Sequence, residues 1–318
     1  PLQTSVGCGE TWLAVGLRGG HLGISRLDGS ARRTVPLGGL RAVEGRPLVQ
    51  GERVFFVTNE NTLECLPAAA NVAGAWQVAV TSPASELIGA DGRLFLVDRN
   101  HILHCWEQSS GSELWATSLG APASGPPTIA RRRLAIGTTD GRVLAVDTSD
   151  GKVLHLLRSP AALTTRVWTD DEVAYFGSAD GNVRAVGLDQ GRVLWTRGLD
   201  APPGDGDLVL APGRALFVAG REPSIQALQL TTGEPIASVR FDGKRQHDLH
   251  VHGSRLLLQV RRQGPRGSGP HDALLTFALS DLAPDWEFAD RTVAPSAATV
   301  GTRGVAWPSA DGEVTLFR

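Results

Sequence analysis

The run His247-Asp248-Leu249-His250-Val251-His252 is where residue types and spacing first suggest chemistry. In an extended strand alternate side chains share a face, so Asp248, His250 and His252 point the same way. One carboxylate and two imidazoles are metal-ligand types, and these three form the candidate metal site. No second motif completes the set, and the same three side chains also read simply as the polar wall of a wetted strand. A second candidate follows directly. The stretch Arg261 to His271, RRQGPRGSGPH, carries glycine and proline at a density that excludes regular structure. Its Arg261, Arg262, Arg266 and His271 make a basic lobe suited to a protein partner. Arg131-Arg132-Arg133 reads as a solvated turn.

Other chemistry is missing from the sequence. Cys8, Cys65 and Cys105 are odd in number and have no CxxC or similar metal spacing. Nucleophile elbows, P-loops, paired-histidine zinc motifs and dinucleotide fingerprints are not found. Gly204-Asp205-Gly206 lies between strands and lacks the following helix that phosphate binding needs. No catalytic residue is assigned, and the chain is expected not to be an enzyme.

What positions these residues is a repeat. A turn leads into a short apolar run eight times: ETWLAVG, ERVFFVT, GRLFLVD, RRLAIGT, EVAYFGS, GRALFVAG, SRLLLQV and RGVAWPS. Their first apolar residues are Trp12, Val54, Leu94, Leu134, Val173, Ala215, Leu256 and Val305. Runs this short, rich in β-branched and aromatic residues and bounded by turn residues, are buried strands rather than helices. Asp140-Gly141, Asp180-Gly181 and Asp311-Gly312 follow three of them and predict two-residue type I′ hairpins into the next strand. A further turn ending in glycine precedes another run that often holds tryptophan, as at Trp76, Trp115 and Trp195. A period near 40 with four strands per unit predicts an all-β fold, an eight-bladed β-propeller of four-stranded antiparallel blades. The units fall at approximately 1–39, 40–81, 82–120, 121–159, 160–199, 200–242, 243–290 and 291–318 of one domain. The last holds room for three strands, so its blade is expected to present an open edge where a partner strand could add.

The segments AVDTSDGKVL (145–154) and AVGLDQGRVLW (185–195) resemble the PQQ-like repeat, with its Ala-x-Asp-x-x-Thr-Gly-x-x-x-Trp pattern. The resemblance extends over nearly the whole chain and points to BamB-like and quinoprotein-like propellers. It implies the fold more firmly than any activity. The adjacent cysteines and the calcium-ligand set of the quinone-dependent relatives are not recognisable, so neither PQQ nor another cofactor is expected. Cys65 and Cys105 align with Ala145, Ala185 and Ala227, a position that wants a small buried side chain.

A net charge of -2 and a pI near 6.5 give no drive toward phosphate backbones, so nucleic acid is not an expected partner. No apolar stretch is long enough to span a bilayer. The combined expectation is a non-enzymatic scaffold or adaptor for protein partners. The alternatives are a ligand- or metal-binding sensor propeller and a BamB-like envelope assembly scaffold. A cytoplasmic location is expected, with the periplasm as the alternative if a signal peptide has been removed. Ser5-Val6-Gly7-Cys8 faintly resembles a lipoprotein cleavage box.

Overall fold

Each of the eight apolar runs forms a strand flanked by its chain neighbours in its own antiparallel sheet. The computed structural model describes residue 4 and residues 6–70, 73–130, 132–170, 172–204, 206–220, 223–246, 248–263, 269–289, 299–301, 304–308 and 314–317. The first sheet is β1 to β4 (Gly7–Cys8, Trp12–Leu17, His21–Arg26, Arg32–Pro36) and the second β5 to β8 (Val43–Gln50, Arg53–Thr58, Thr62–Pro67, Trp76–Ala79). The third is β9 to β12 (Ile88–Ala90, Arg93–Val97, Ile102–Glu107, Glu113–Ser118) and the fourth β13 to β16 (Thr128–Ala130, Arg133–Gly137, Arg142–Asp147, Val153–Arg158). The fifth is β17 to β20 (Trp168–Thr169, Val173–Gly177, Asn182–Gly187, Val193–Gly198) and the sixth β21 to β24 (Leu208–Ala211, Ala215–Ala219, Ser224–Gln229, Pro235–Arg240). The seventh has five strands, β25 to β29 (Lys244–Arg245, His250–His252, Arg255–Arg262, His271–Ala278, Pro284–Ala289). The eighth has three, β30 to β32 (Thr299–Gly301, Gly304–Pro308, Val314–Phe317).

Seven of these sheets are the blades of a β-propeller fold, and among the described residues there is no α-helix. The blade count is a correction: seven sheets have four or more strands, where the repeat pattern predicts eight blades, and the three-stranded β30 to β32 does not make an eighth full blade among the described residues. The final unit is short: a stretch the length of 291–318 holds only the first three strands in the earlier units. The seventh sheet departs in the other direction. Its long β27 pairs with both β25 and β26, so the single expected first strand is split around residues 246–249. At the insertion β27 runs on with β28 as a long hairpin up to Arg262 and His271.

The hairpins also differ from expectation. Of Asp140-Gly141 and Asp180-Gly181 only the glycines take positive φ, 90° and 79°. The Thr138 and Ser178 backbone N–H groups donate to Arg142 O and Asn182 O at 2.9 and 3.0 Å. Each loop therefore has three residues and a left-handed glycine at its end, instead of a type I′ pair. Asn61 and His101 take that left-handed place in the second and third sheets, with φ of 57° and 64°. Asp311-Gly312 lies outside the described residues.

The chain divides into two compact units, and the division falls within β12. In the first, residues 1–116 and 290–318, the described core residues include three layers between sheets. Trp12, Ala14, Ile24 and Phe56 join the first and second sheets, and Phe55, Cys65, Leu94 and Trp106 join the second and third. Val6, Leu13, Val15 and Ala306 join the first and eighth. The second unit, 117–289, repeats the plan: Ala145 and Phe176 lie in the layer between the fourth and fifth sheets, Tyr175 and Leu216 between the fifth and sixth, and Phe217 and Leu258 between the sixth and seventh.

The small residue predicted in the third strand is explained by its neighbours. Cys65 faces Phe55 and Trp76 across the sheet, and Ala185 faces Tyr175 and Trp195. The flanking rings approach over it with centroids 6.0 and 6.1 Å apart, which a larger side chain would prevent. The same tryptophans tie each sheet to the next. Trp76 Nε1 donates to Gln108 O at 3.2 Å, and Trp195 Nε1 to Leu230 O at 2.7 Å. Their rings lie against Gly111 and Gly233, where a Cβ would stand 2.5 Å from a ring carbon. Burial pushes the Cys65 and Cys105 thiols up to about 11 and about 12, against the opposing pull of the nearby Arg53 and Arg93 guanidiniums. Structural packing, not reactivity, is what these cysteines serve.

Candidate functional site

In the second unit the seventh sheet gathers most of the candidate residues. Asp248 precedes β26 and its Oδ2 is 2.9 Å from Arg166 Nη2, in the loop leading to β17. Gly206 lies against this carboxylate with φ of 83°, and any Cβ there would overlap it. Arg245 on β25 pairs with Asp207 and donates from Nη1 to Gly206 O at 3.3 Å. Burial lowers its pKa, and the Asp248 charge opposes that shift. His250 and His252 stand on one face of β26, opposite Leu257 and Arg255, with half-buried Val251 between them. Asp248 is thus turned to an arginine, and among the described residues no three His, Cys, Asp or Glu side chains converge where a metal could sit. The partner that the Asp248 carboxylate meets lies 82 residues away in the sequence.

The basic lobe is likewise recast. Arg261 holds Asp272 through two bonds, Nε to Oδ1 at 2.8 Å and Nη2 to Oδ2 at 3.1 Å. Asp272 is fully buried, and its hydrogen bonds raise the pKa of Arg261. Arg262 donates to Asp242 O at 3.1 Å and pairs with Glu287. His271 faces Arg262 across the hairpin. Arg261 and Arg262 therefore spend their charge within the sheet; Arg266 lies outside the described residues, as do 264–268 as a whole.

Beside Arg262 a groove of about 420 Å³ opens between the sixth and seventh sheets. Phe241, Pro284 and Trp286 form its apolar walls, Leu275 and Phe277 its floor, and Arg240, Asp242, Arg262, Asp285 and Glu287 its charged rim. Trp286 is set in place by a β-bulge. The register of β28 and β29 slips between Leu275 and Phe277, and Thr276 Oγ1 fills the gap. That hydroxyl donates to Trp286 O at 3.0 Å and accepts from Trp286 N–H at 3.1 Å. The rim is fixed by ion pairs, Arg255 with Asp285 and Arg262 with Glu287, while Asp242 stands almost fully exposed. The result is a partly apolar slot rimmed by charges of both signs.

The sequence leads to this neighbourhood through the insertion and Arg262, and does not single out Phe241, Trp286, Asp242 or Glu287. A signal for one of them existed: Trp286 occupies the tryptophan position of the repeat, equivalent to Trp195. The others depend on two sheets coming together, which no local pattern encodes.

Comparison with known proteins agrees with the architecture. A family profile described as "Outer membrane protein assembly factor BamB" matches residues 5–102, 73–208 and 179–318. Among solved structures, BamB from Moraxella catarrhalis is similar with a TM-score of 0.65 and 20% identity, covering 81% of this chain and 82% of that one. The computationally designed Ika8 protein gives 0.75 at 12% identity over 99% and 96%. The C-terminal WD40 domain of Sif2 gives 0.71 at 11% identity over 98% and 93%. At these identities the likeness to solved structures concerns the fold alone. No curated protein sequence matches the chain.

Proposed function

The chain belongs to the family of the outer membrane protein assembly factor BamB, and from that premise we propose that it is a non-enzymatic scaffold that holds a protein partner against the groove between its sixth and seventh sheets. The observation that carries this reading is the groove itself, with Phe241 and Trp286 as aromatic anchors inside a rim of fixed charges. Buried aromatic anchors surrounded by polar contacts are the usual energetic centre of a protein interface. The family's name supports a partner in outer membrane protein assembly. Under that reading the periplasm, and not the cytoplasm, is the proposed location, and no cofactor is needed.

Site-specific photocrosslinking in the native host tests the proposal. A photoreactive residue at Asp242, on the groove rim, is expected to give one discrete protein adduct, and Phe241→Ala is expected to remove it. The same probe at Lys152, which is also well exposed, serves as the control. Equal adduct patterns at the two positions, or none at Asp242, would overturn it.

A further inference from the structure

The second and third sheets each begin their second strand with arginine, Arg53 on β6 and Arg93 on β10, at the same place in the repeat. Both line a cavity of about 450 Å³ within the first unit, together with Asp91, Glu107, Gln108 and Leu114. Other described arginines near acids are paired with them, as Arg41, Arg142, Arg184 and Arg261 are. These two are not. Arg53 donates from Nη1 to Gln108 O and Ser109 O at 3.2 Å each, both neutral carbonyls. Arg93, one repeat later and opposite Glu107 in the sheet, lines the cavity with no hydrogen bond or ion pair among the described residues, so its guanidinium can take an acceptor there.

The neighbouring acids limit what that acceptor is. Glu107 accepts from Ser110 Oγ at 2.5 Å, and Asp91 sits at the tip of the turn with φ of 49°. Two carboxylates on the rim oppose a dianion such as phosphate but leave a single negative charge room beside two guanidiniums. Leu114 adds an exposed apolar wall at the mouth. We propose that this cavity binds the carboxylate of an acidic side chain in an extended segment of a protein partner, with Arg93 as the principal donor and Leu114 packing on an apolar neighbour of that side chain.

The test uses the whole chain and two blocked peptides, acetyl-Leu-Glu-Leu-amide and its Gln counterpart, read by the Arg side-chain Nε–H resonances and by titration calorimetry. The Glu peptide is expected to shift the Arg93 resonance and to bind roughly tenfold more tightly than the Gln peptide. Arg93→Gln is expected to erase that difference, and Leu114→Ala to weaken the Glu peptide several-fold. Should Arg93→Gln fail to fold, the resonance shift in the unaltered protein decides alone. Equal affinity for both peptides, or an Arg93 resonance that neither moves, overturns the proposal. Glutarate binding as tightly as the Glu peptide would replace the peptide by a free small acid and overturn the assigned source. None of these readouts involves the groove of the sixth and seventh sheets, so the two proposals stand or fall separately.

Discussion

The last strands of the fourth and fifth sheets and that of the seventh share one backbone device and fill it with opposite chemistry. In each, a bulge places two consecutive side chains outward near the strand's start. In β16 and β20 these are Val153-Leu154 and Val193-Leu194, with Leu154 40% and Leu194 49% exposed. In β29 they are Pro284-Asp285, and Glu287 stands where β16 has Leu156. The charged version ties down Arg255 and Arg262 and forms a groove rim; the apolar version ties down nothing and leaves a hydrophobic edge. The repeat dictates where side chains emerge, and individual substitutions decide what chemistry each blade presents there.

The widest separation is expected between the two tryptophans at one repeat position. Trp195→Ala removes a nearly buried ring and its bond to Leu230, at a cost of about 3–5 kcal/mol in urea denaturation. Trp286→Ala, at a half-buried wall, is expected to cost only about 1–2 kcal/mol while removing the crosslink at Asp242. Equal costs would mean that Trp286 is merely another structural ring and would collapse the distinction.

Glycines sharpen it next. Gly233 and Gly253 both take positive φ, but only Gly233 abuts a ring, whereas a Cβ at Gly253 meets open space. Gly233→Ala is expected to lose about 2–4 kcal/mol and Gly253→Ala about 1 kcal/mol, the difference reporting the clash with Trp195. Thermal melts of the two variants measure it directly.

Acid acts on the fifth sheet in a way that can be signed. Hydrogen bonds from Arg184 above all, then from Ser178 and Asn182, hold the Asp180 carboxyl far below the usual carboxylate range. A depressed folded-state pKa gives stability that is fully present above the unfolded value, near 4, and is lost as pH falls below it toward the folded value. Stability is therefore expected to decline below about pH 4, and less steeply in Asp180→Asn. An unchanged slope in that variant would show that the pair contributes nothing to folding.

The smallest effects belong to the exposed edge. Leu154→Asp and Leu194→Asp are each expected to change stability by no more than about 0.5 kcal/mol and to lower binding of a hydrophobic dye. Asp285→Leu gives up an exposed pair with Arg255, costing about 0.5 kcal/mol, and raises dye binding. Dye binding that ignores all three changes would show that the apolar edge is not a distinct surface.

Much of this could be read from the chain. The eight apolar runs, the small residue opposite each aromatic and the place of the insertion all follow from patterns within about ten residues. The loops after β14 and β18 are ambiguous in sequence, because Asp-Gly is shared by two hairpin types that differ in where φ turns positive. The candidate site was legible in location but not in composition. Arg166 with Asp248, Arg262 with Glu287 and Phe241 beside Trp286 are meetings of distant segments, and charges that pair across sheets look free in a linear sequence. For the same reason the last unit betrayed its shortness but not the strand split within the seventh.

The thiols of Cys65 and Cys105 also make the molecule its own stopwatch. Burial pushes their pKa values up and leaves them without exposure, so at neutral pH they are held as thiols. Alkylating reagents can reach them only when the second or third sheet comes apart, whereas half-buried Cys8 lies nearer the surface. The slow phase of thiol labelling therefore clocks the opening of those two blades, one cysteine each, without any introduced probe.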